Sequence, residues 1–515
     1  MAHRHRTFLV VFLLAVILRC VVMLGYRGVL WFPDSRAYLG VALRPQPYPV
    51  REMGYAFFLR LLLPVHSFAA VAGVQHLMGL AVGVMVYALL RHRFALPGWG
   101  ASLAAVPVLF DGQQLQLEHM LLSDTLFELL VVAAVVMVSW RSRPAIWQAA
   151  AGGGLVGLAA TTRSVGLPLI AVLLVVLLMR RVGWRRFTAA GVLCLAPVVS
   201  YAVWYHGTWG RYALSNSGGL VLFARTAAFV DCTHLRLPPD ERALCPRQPP
   251  GHRSASPNYL WHHHLTPALD TGPYRKFTVA NNERAGEFAK RAIVAQPVDY
   301  LTTSLRGAGR TFEWPHGPYP NHFDATRYRF PTSTKPPGHE VKVRGGSVAH
   351  DARRYAHNDG RTRVKEPYAG WLRAYQRYVF LPGTVLGVLL VIGATGLVIR
   401  WRRLGGPVLL VWFTALALIV VPPFTASYSP RYVIPAVPLV CVAAAAALGV
   451  PRRSGQDPRP QPPALSIARH VGACPVEDGC GRECGRRAGD RRVRVCQTGS
   501  ARCWPATWAA RRSDP

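Results

Sequence analysis

Long apolar stretches alternate with short basic ones along most of the chain. The apolar runs fall at roughly 7–26, 67–90, 98–110, 120–139, 145–161, 164–179, 187–206, 379–399, 406–421 and 432–449. Most of them reach the ~17 to 25 residues a helix needs to cross a bilayer. The third is short for a span and reads as thin or re-entrant. Only Thr162-Arg163 separates the fifth from the sixth, so these two form either a tight helical hairpin or one long broken helix. The pattern predicts an all-α polytopic membrane protein, a transmembrane helix bundle of about ten spans with one large extracytoplasmic loop.

Four regions follow: an N-terminal transmembrane module at 1–206 with a first outer loop at 27–66, an extracytoplasmic loop region at 207–378, C-terminal transmembrane helices at 379–450, and a disordered basic cytoplasmic tail at 451–515. The first run follows Arg4 and Arg6 but lacks a small-residue cleavage site, so it reads as a retained helix. The outer loop carries helical signals at 281–294 and 300–310, whereas 315–360 looks irregular. Its few apolar residues imply a small core that leans on the membrane helices. The tail, rich in Arg, Gly and Cys, is either genuine or the product of a frame error.

Composition agrees with the pattern. Hydrophobic residues make up 51% of the 515 and charged residues 16%, against roughly 25% charged in soluble domains. The net charge of +34 invites a nucleic-acid partner. Many of the arginines, however, sit at the ends of apolar runs, where a membrane protein meets anionic headgroups, and nucleic acid is rejected as a partner.

Those arginines also set the orientation. With the N-terminus inside, the connections at Arg91/Arg93, Arg141/Arg143, Arg180/Arg181/Arg185/Arg186, Arg400/Arg402/Arg403 and Arg452/Arg453 all fall inside. This places both termini in the cytoplasm of a multi-pass protein of the cell membrane. The first outer segment dissents with Arg27, Arg36, Arg44, Arg51 and Arg60, which are expected to contact headgroups from surface helices.

Of ten cysteines, Cys20, Cys194 and Cys441 lie in apolar runs and read as packing residues. Cys232 and Cys245 fall in the outer loop, where a disulfide is plausible. Cys474, Cys480, Cys484, Cys496 and Cys503 have poor spacing for zinc, and His262-His263-His264 reads as solvated loop. No metal site is assigned. The cofactor is unknown: a divalent metal stays open, and the sequence does not indicate one.

Four motifs could carry chemistry. In Trp31-Phe32-Pro33-Asp34-Ser35-Arg36-Ala37-Tyr38, Asp34 fits a helix N-cap. It equally fits a general base at the outer rim, its pKa raised by low dielectric, with Tyr38 one turn away. Glu118 and Asp124 flank Leu121-Leu122-Ser123, where acids approach a membrane segment and need a reason. Arg163 follows Thr161-Thr162, and Arg431 with Tyr432 follows Ser429-Pro430. Either arginine could snorkel to lipid or clamp phosphate oxygens with its planar fork.

In this order the motifs resemble the GT-C superfamily of polyprenyl-phosphate-sugar glycosyltransferases, of the protein O-mannosyltransferase and aminoarabinose transferase-like type. The matching pieces are Pro33-Asp34-Ser35-x-x-Tyr38, Leu121-Leu122-Ser123-Asp124-Thr125-Leu126-Phe127, Gly157-Leu158-x-x-x-x-Arg163 and Pro430-Arg431-Tyr432-x-x-Pro435-x-x-Pro438. They lie within 1–210 and 380–450; many relatives carry a second acid where Ser35 stands. The resemblance implies an inverting glycosyltransferase with a GT-C-like helix bundle. Asp34 would deprotonate an acceptor hydroxyl, and Arg163 and Arg431 would bind the phosphate of the donor. Tyr38, Glu118, Asp124 and Tyr432 would support the site. Mannose or a pentose is the expected sugar, and the acceptor is an extracytoplasmic protein, polysaccharide or lipid. Two other readings stand beside this one: a transporter or lipid flippase, and a non-catalytic membrane scaffold that presents the outer loop.

Overall fold

The computed structural model describes residues 5–269, 276–314, 317–399 and 407–449. The five tail cysteines and the basic connections at 400–403 and 452–453 lie outside the described residues.

Helices dominate. The first part of the chain runs α1 (Arg6–Gly25), β1 (Tyr26–Arg27), α2 (Ser35–Leu43), α3 (Gly54–Leu61), α4 (Phe68–Arg93), α5 (Gly98–Phe110), α6 (Gly112–His119), α7 (Asp124–Ser139), α8 (Ile146–Thr162), α9 (Gly166–Met179) and α10 (Trp184–Trp209). The outer loop supplies α11 (Gly218–Ala227), α12 (Pro239–Arg242), α13 (Ser256–Trp261), α14 (Val279–Ala295), α15 (Pro297–Gly309), α16 (His322–Thr326), α17 (Val348–Ala356), β2 (Arg363–Val364) and α18 (Tyr368–Tyr378). Then come α19 (Gly383–Ile399), α20 (Pro407–Thr425), α21 (Pro430–Val433) and α22 (Val437–Leu448).

Among the described residues, five stretches are long and apolar enough to cross a membrane: α1, α4, α10, Val408–Thr425 and Pro430–Leu448. A sixth joins α18 to α19 across a 55° bend. The other apolar runs became α5, α7, α8 and α9, of 13, 16, 17 and 14 residues. Full-length spans are therefore fewer than apolar runs. Part of an apolar run can leave the helix and bury itself in a turn, as Met120, Leu121 and Leu122 do before α7.

What these helices expose marks them as membrane-embedded. Along α10, Val192, Leu193, Leu195, Val199 and Val203 are 44–57% exposed. In water such a helix would turn these residues into a core; in lipid it has no need to. Helix pairing follows the rule for small residues. Gly153 and Gly157 on α8 lie so close to α10 that a Cβ would stand 2.1 Å from the Ala190 carbonyl oxygen and 2.2 Å from that of Cys194. Gly157→Val is expected to push α8 off α10 and cost at least the ~1–3 kcal/mol typical of overpacking. A fall in thermal unfolding temperature in detergent checks it, and an unchanged temperature counts against this packing. Gly166 lies against the backbone of Ala159 and Ala160, so α8 and α9 form the tight hairpin of the two alternatives.

A second layer covers one end of the bundle. β1 pairs antiparallel with β2, Tyr26 opposite Val364. Next to it, the Leu30 amide donates to His119 O at 2.9 Å and the Leu121 amide to Leu30 O at 3.0 Å. These bonds fix the segment leading into α2 against the segment leading into α7. The outer-loop helices expected at 281–294 and 300–310 are α14 and α15. The stretch read as irregular contains the nine-residue α17, started by the Ser347 hydroxyl, which accepts from the His350 amide. Phe223, Tyr259, Ala285 and Phe288 form a small core of the loop's own, and a disulfide joins Cys232 to Cys245.

Four of the five dissenting arginines of the first outer segment are held by protein partners, whereas Arg27 is exposed. Arg44 grips Asp351 with two bonds of 2.6 and 2.7 Å, Arg36 pairs with Glu340, Arg60 donates to Ala42 O at 3.0 Å, and Arg51 pairs with Asp34. Ion pairs thus hold Arg36, Arg44 and Arg51 without lipid.

Candidate active site

Asp34 opens α2, yet its side chain makes no capping bond. Ser35 does the local work instead, its Oγ accepting from the Phe32 amide at 2.9 Å. The freed carboxylate, 8% exposed, meets Arg51 and Arg431, the latter at 2.9 Å from Oδ2. Burial alone would raise its pKa, as the sequence suggested. The two guanidinium groups outweigh burial and hold the carboxyl below its ordinary value. Asp34 is thus ionised and clamped at rest, not poised near neutrality.

Arg163, in the turn between α8 and α9, pairs with Asp124 at the start of α7. Its guanidinium also stacks 4.7 Å from the Tyr432 ring. Arg431 lies 5.3 Å from the same ring and 4.8 Å from that of Phe32. Tyr432 therefore bridges the two arginines, each with its own carboxylate: Asp34–Arg431–Tyr432–Arg163–Asp124. Next to Asp124, the Ser123 hydroxyl shares a 3.1 Å hydrogen bond with the Tyr38 hydroxyl. From the outer loop, the hydroxyl of Tyr328 meets that of Ser429 at 3.0 Å. The cluster joins α2, the start of α7, the α8–α9 turn and α21.

Three arginines (51, 163, 431) gather with the carboxylates of Asp34 and Asp124, and the buried Glu52 carboxyl also acts on Arg51. Guanidinium forks held on carboxylates in this way can also serve phosphate oxygens. Two small hollows adjoin α21; Val433 lines both, and Tyr432 lines one of them. Leu386 and Val437 in one and Leu418 and Ile419 in the other make them largely greasy.

Glu118 is engaged elsewhere. It is fully buried, and its oxygens take Arg19 at 2.7 and 2.9 Å, His76 at 2.8 Å and Gln114 at 3.1 Å. No oxygen is left for a substrate, so Glu118 acts as a strut between α1, α4 and α6. Glu118→Gln is expected to cost about 3–5 kcal/mol by leaving Arg19 buried and unpaired. Replacing both partners, Arg19→Met with Glu118→Leu, should recover most of that loss in detergent melting curves; recovery by neither arm contradicts the pairing.

Sequence reasoning missed Arg51 and its neighbour Glu52. The latter is buried, which pushes its carboxyl up, and it accepts from the Ser215 hydroxyl at 3.4 Å. The one available signal was that Arg51 broke the positive-inside pattern. Among the described residues, no group of three or more His, Cys, Asp or Glu gathers to hold a metal ion.

No family model matches the sequence, and no curated protein matches it either. Solved structures do. The oligosaccharyltransferase of Archaeoglobus fulgidus in its apo form is similar at TM-score 0.39 and 12% identity, over 85% of this chain and 50% of that one. ArnT from Cupriavidus metallidurans, bound to undecaprenyl phosphate, is similar at TM-score 0.33 and 15% identity, over 86% of this chain and 78% of that one. AglB from Archaeoglobus fulgidus, in complex with an inhibitory peptide and a dolichol-phosphate, gives 0.37 and 12%, over 86% and 50%. The chain spans about half the length of the archaeal enzyme, and none of the three likenesses reaches a TM-score of 0.5.

Proposed function

We propose that this membrane protein is a glycosyltransferase, moving a sugar from a polyprenyl-phosphate donor to a hydroxyl of an extracytoplasmic acceptor with inversion at the anomeric carbon. The observation that carries the reading is the linked cluster of Asp34, Arg431, Tyr432, Arg163 and Asp124, two carboxylate–guanidinium pairs joined by one aromatic ring. A prenyl chain remains in the bilayer, so the scissile bond must lie at the headgroup boundary, and on this reading the starts of α2, α7 and α21 lie at that level.

The clamp on Asp34 gives the mechanism its order. A donor phosphate competes with the carboxylate for Arg431 and Arg163. As Arg431 turns to phosphate, Asp34 loses one of its two cations and becomes a better base. It then takes the proton of the acceptor hydroxyl. The oxygen bonds to the anomeric carbon from the opposite face, the carbon–phosphate-oxygen bond breaks, and the electron pair leaves with the phosphate. The arginines stabilise that developing charge. Tyr432, held between the two guanidinium groups, keeps them in register.

Mannose and pentose donors both fit this scheme, as do protein, polysaccharide and lipid acceptors. A transporter would want unsatisfied polar groups near the bilayer midplane, whereas Arg19, His76 and Glu118 satisfy one another. Measuring transfer from a polyprenyl-phosphate sugar by purified protein tests the reading. Lipid or solute flux without transfer would favour the transporter, and a normal cell envelope with Asp34→Asn would favour the scaffold.

A further inference from the structure

Among the described residues, no carboxylate acts on one buried arginine of the outer loop. Arg225 on α11 is 3% exposed, and its Nε and Nη2 are buried without a hydrogen-bond partner among the described residues. The ionisable neighbours that act on it are the phenols of Tyr319 and Tyr300. A guanidinium does not escape by losing its proton, and a buried unpaired cation is strongly unfavourable. A bound anion resolves the conflict.

The surroundings supply donors. Ser304 on α15 is fully buried and its hydroxyl lies beside that of Tyr300. The Tyr300 hydroxyl donates to Phe424 O at 3.0 Å and ties α15 to the outer end of α20. Gly307, one turn on from Ser304, makes room for the guanidinium: a Cβ there would stand 3.3 Å from Arg225 Nη2 and 3.3 Å from Pro423. A further turn on, Arg310 lies 4.9 Å over the Tyr319 ring, and the Glu313 carboxylate acts in the same cluster, both reaching the Tyr428 phenol. Pro423 also lines the cavity that reaches Tyr432.

We propose that Arg225, with the Ser304 hydroxyl on the neighbouring helix, forms an oxyanion site on the outer loop, separate from the Arg163–Arg431 pair, that takes a phosphate group; Tyr300 holds α15 in place for it. The site stands independently of the sugar-transfer reading. The phosphate comes either from an anionic lipid headgroup, since α15 rests on the outer end of a spanning helix, or from a water-soluble phosphate.

The test uses the full chain in neutral detergent, with inorganic phosphate as the probe and binding and melting as readouts. Phosphate is expected to raise the melting temperature of the parent protein. Arg225→Gln should weaken phosphate binding at least tenfold and Ser304→Ala several-fold, while Arg431→Gln keeps the Arg225-dependent part. Without phosphate, Arg225→Met should melt at or above the parent temperature, because it removes an uncompensated charge. In nanodiscs of phosphatidylglycerol, loss of the phosphate response relative to phosphatidylcholine identifies the headgroup as occupant; persistence identifies a soluble phosphate. Equal phosphate binding by the parent, Arg225→Gln and Ser304→Ala overturns the site. Should Arg225→Gln fail to fold, Ser304→Ala and Arg225→Lys decide it by the same comparison.

Discussion

Asp34→Asn is expected to lower sugar transfer by roughly 10²–10⁴-fold, the usual contribution of a positioned general base. The substitution keeps shape and removes charge, but the structure adds a second consequence. Arg51 and Arg431 would face each other with no anion between them, so the variant should also melt earlier. Breaking a buried pair from one side costs about 3–5 kcal/mol. The side chains of Arg51 and Arg431 are 20% and 12% exposed, which points to the lower end. Adding Arg51→Gln to Asp34→Asn should restore most of the stability and none of the transfer. If the double variant recovers activity along with stability, Asp34 is a structural anion and not the base.

The pH dependence separates the same two roles. Because the folded pKa of Asp34 lies below its ordinary value, the stability it contributes is complete above that ordinary value and is lost as pH falls through the depressed one. The acid limb of kcat/KM reports free enzyme and should sit in the same low range. The limb of kcat reports the loaded enzyme, where phosphate has drawn Arg431 away, and should lie at higher pH. Coincident limbs would contradict a clamp released by the donor.

Arg431→Gln is the second large effect expected. Removing one donor to a developing anion costs about 10²–10³ in rate. The loss should appear in use of the lipid donor more than in affinity for the acceptor. Arg431→Lys should rescue little, because an ammonium lacks the planar fork that serves a carboxylate at rest and a phosphate in reaction. Wild-type donor kinetics in Arg431→Gln would remove the phosphate role. Arg163→Gln gives a parallel but separable test, since its resting partner is Asp124 and not Asp34.

Several parts of this site were legible before any fold was known. Asp34, Arg163, Arg431 and Tyr432 stand at polar breaks between apolar runs, where a charged residue needs a reason. Asp124 showed itself the same way. Glu118 carried the same signal for a different cause: its charge is spent on Arg19, 99 residues away along the chain. Proximity to a membrane boundary marks both kinds of acid alike, and only the partner tells them apart.

The amino-acid sequence by itself determined the helical class and the apolar faces turned to lipid, because hydrophobic length acts locally, one segment at a time. Tertiary structure alone decided which charges neutralise which. Asp34 meets Arg431 across 397 positions of chain, and the inversion of its expected pKa follows from that encounter. Coulomb energy depends on distance in space, and no periodicity along a chain records which two breaks the bundle will bring together.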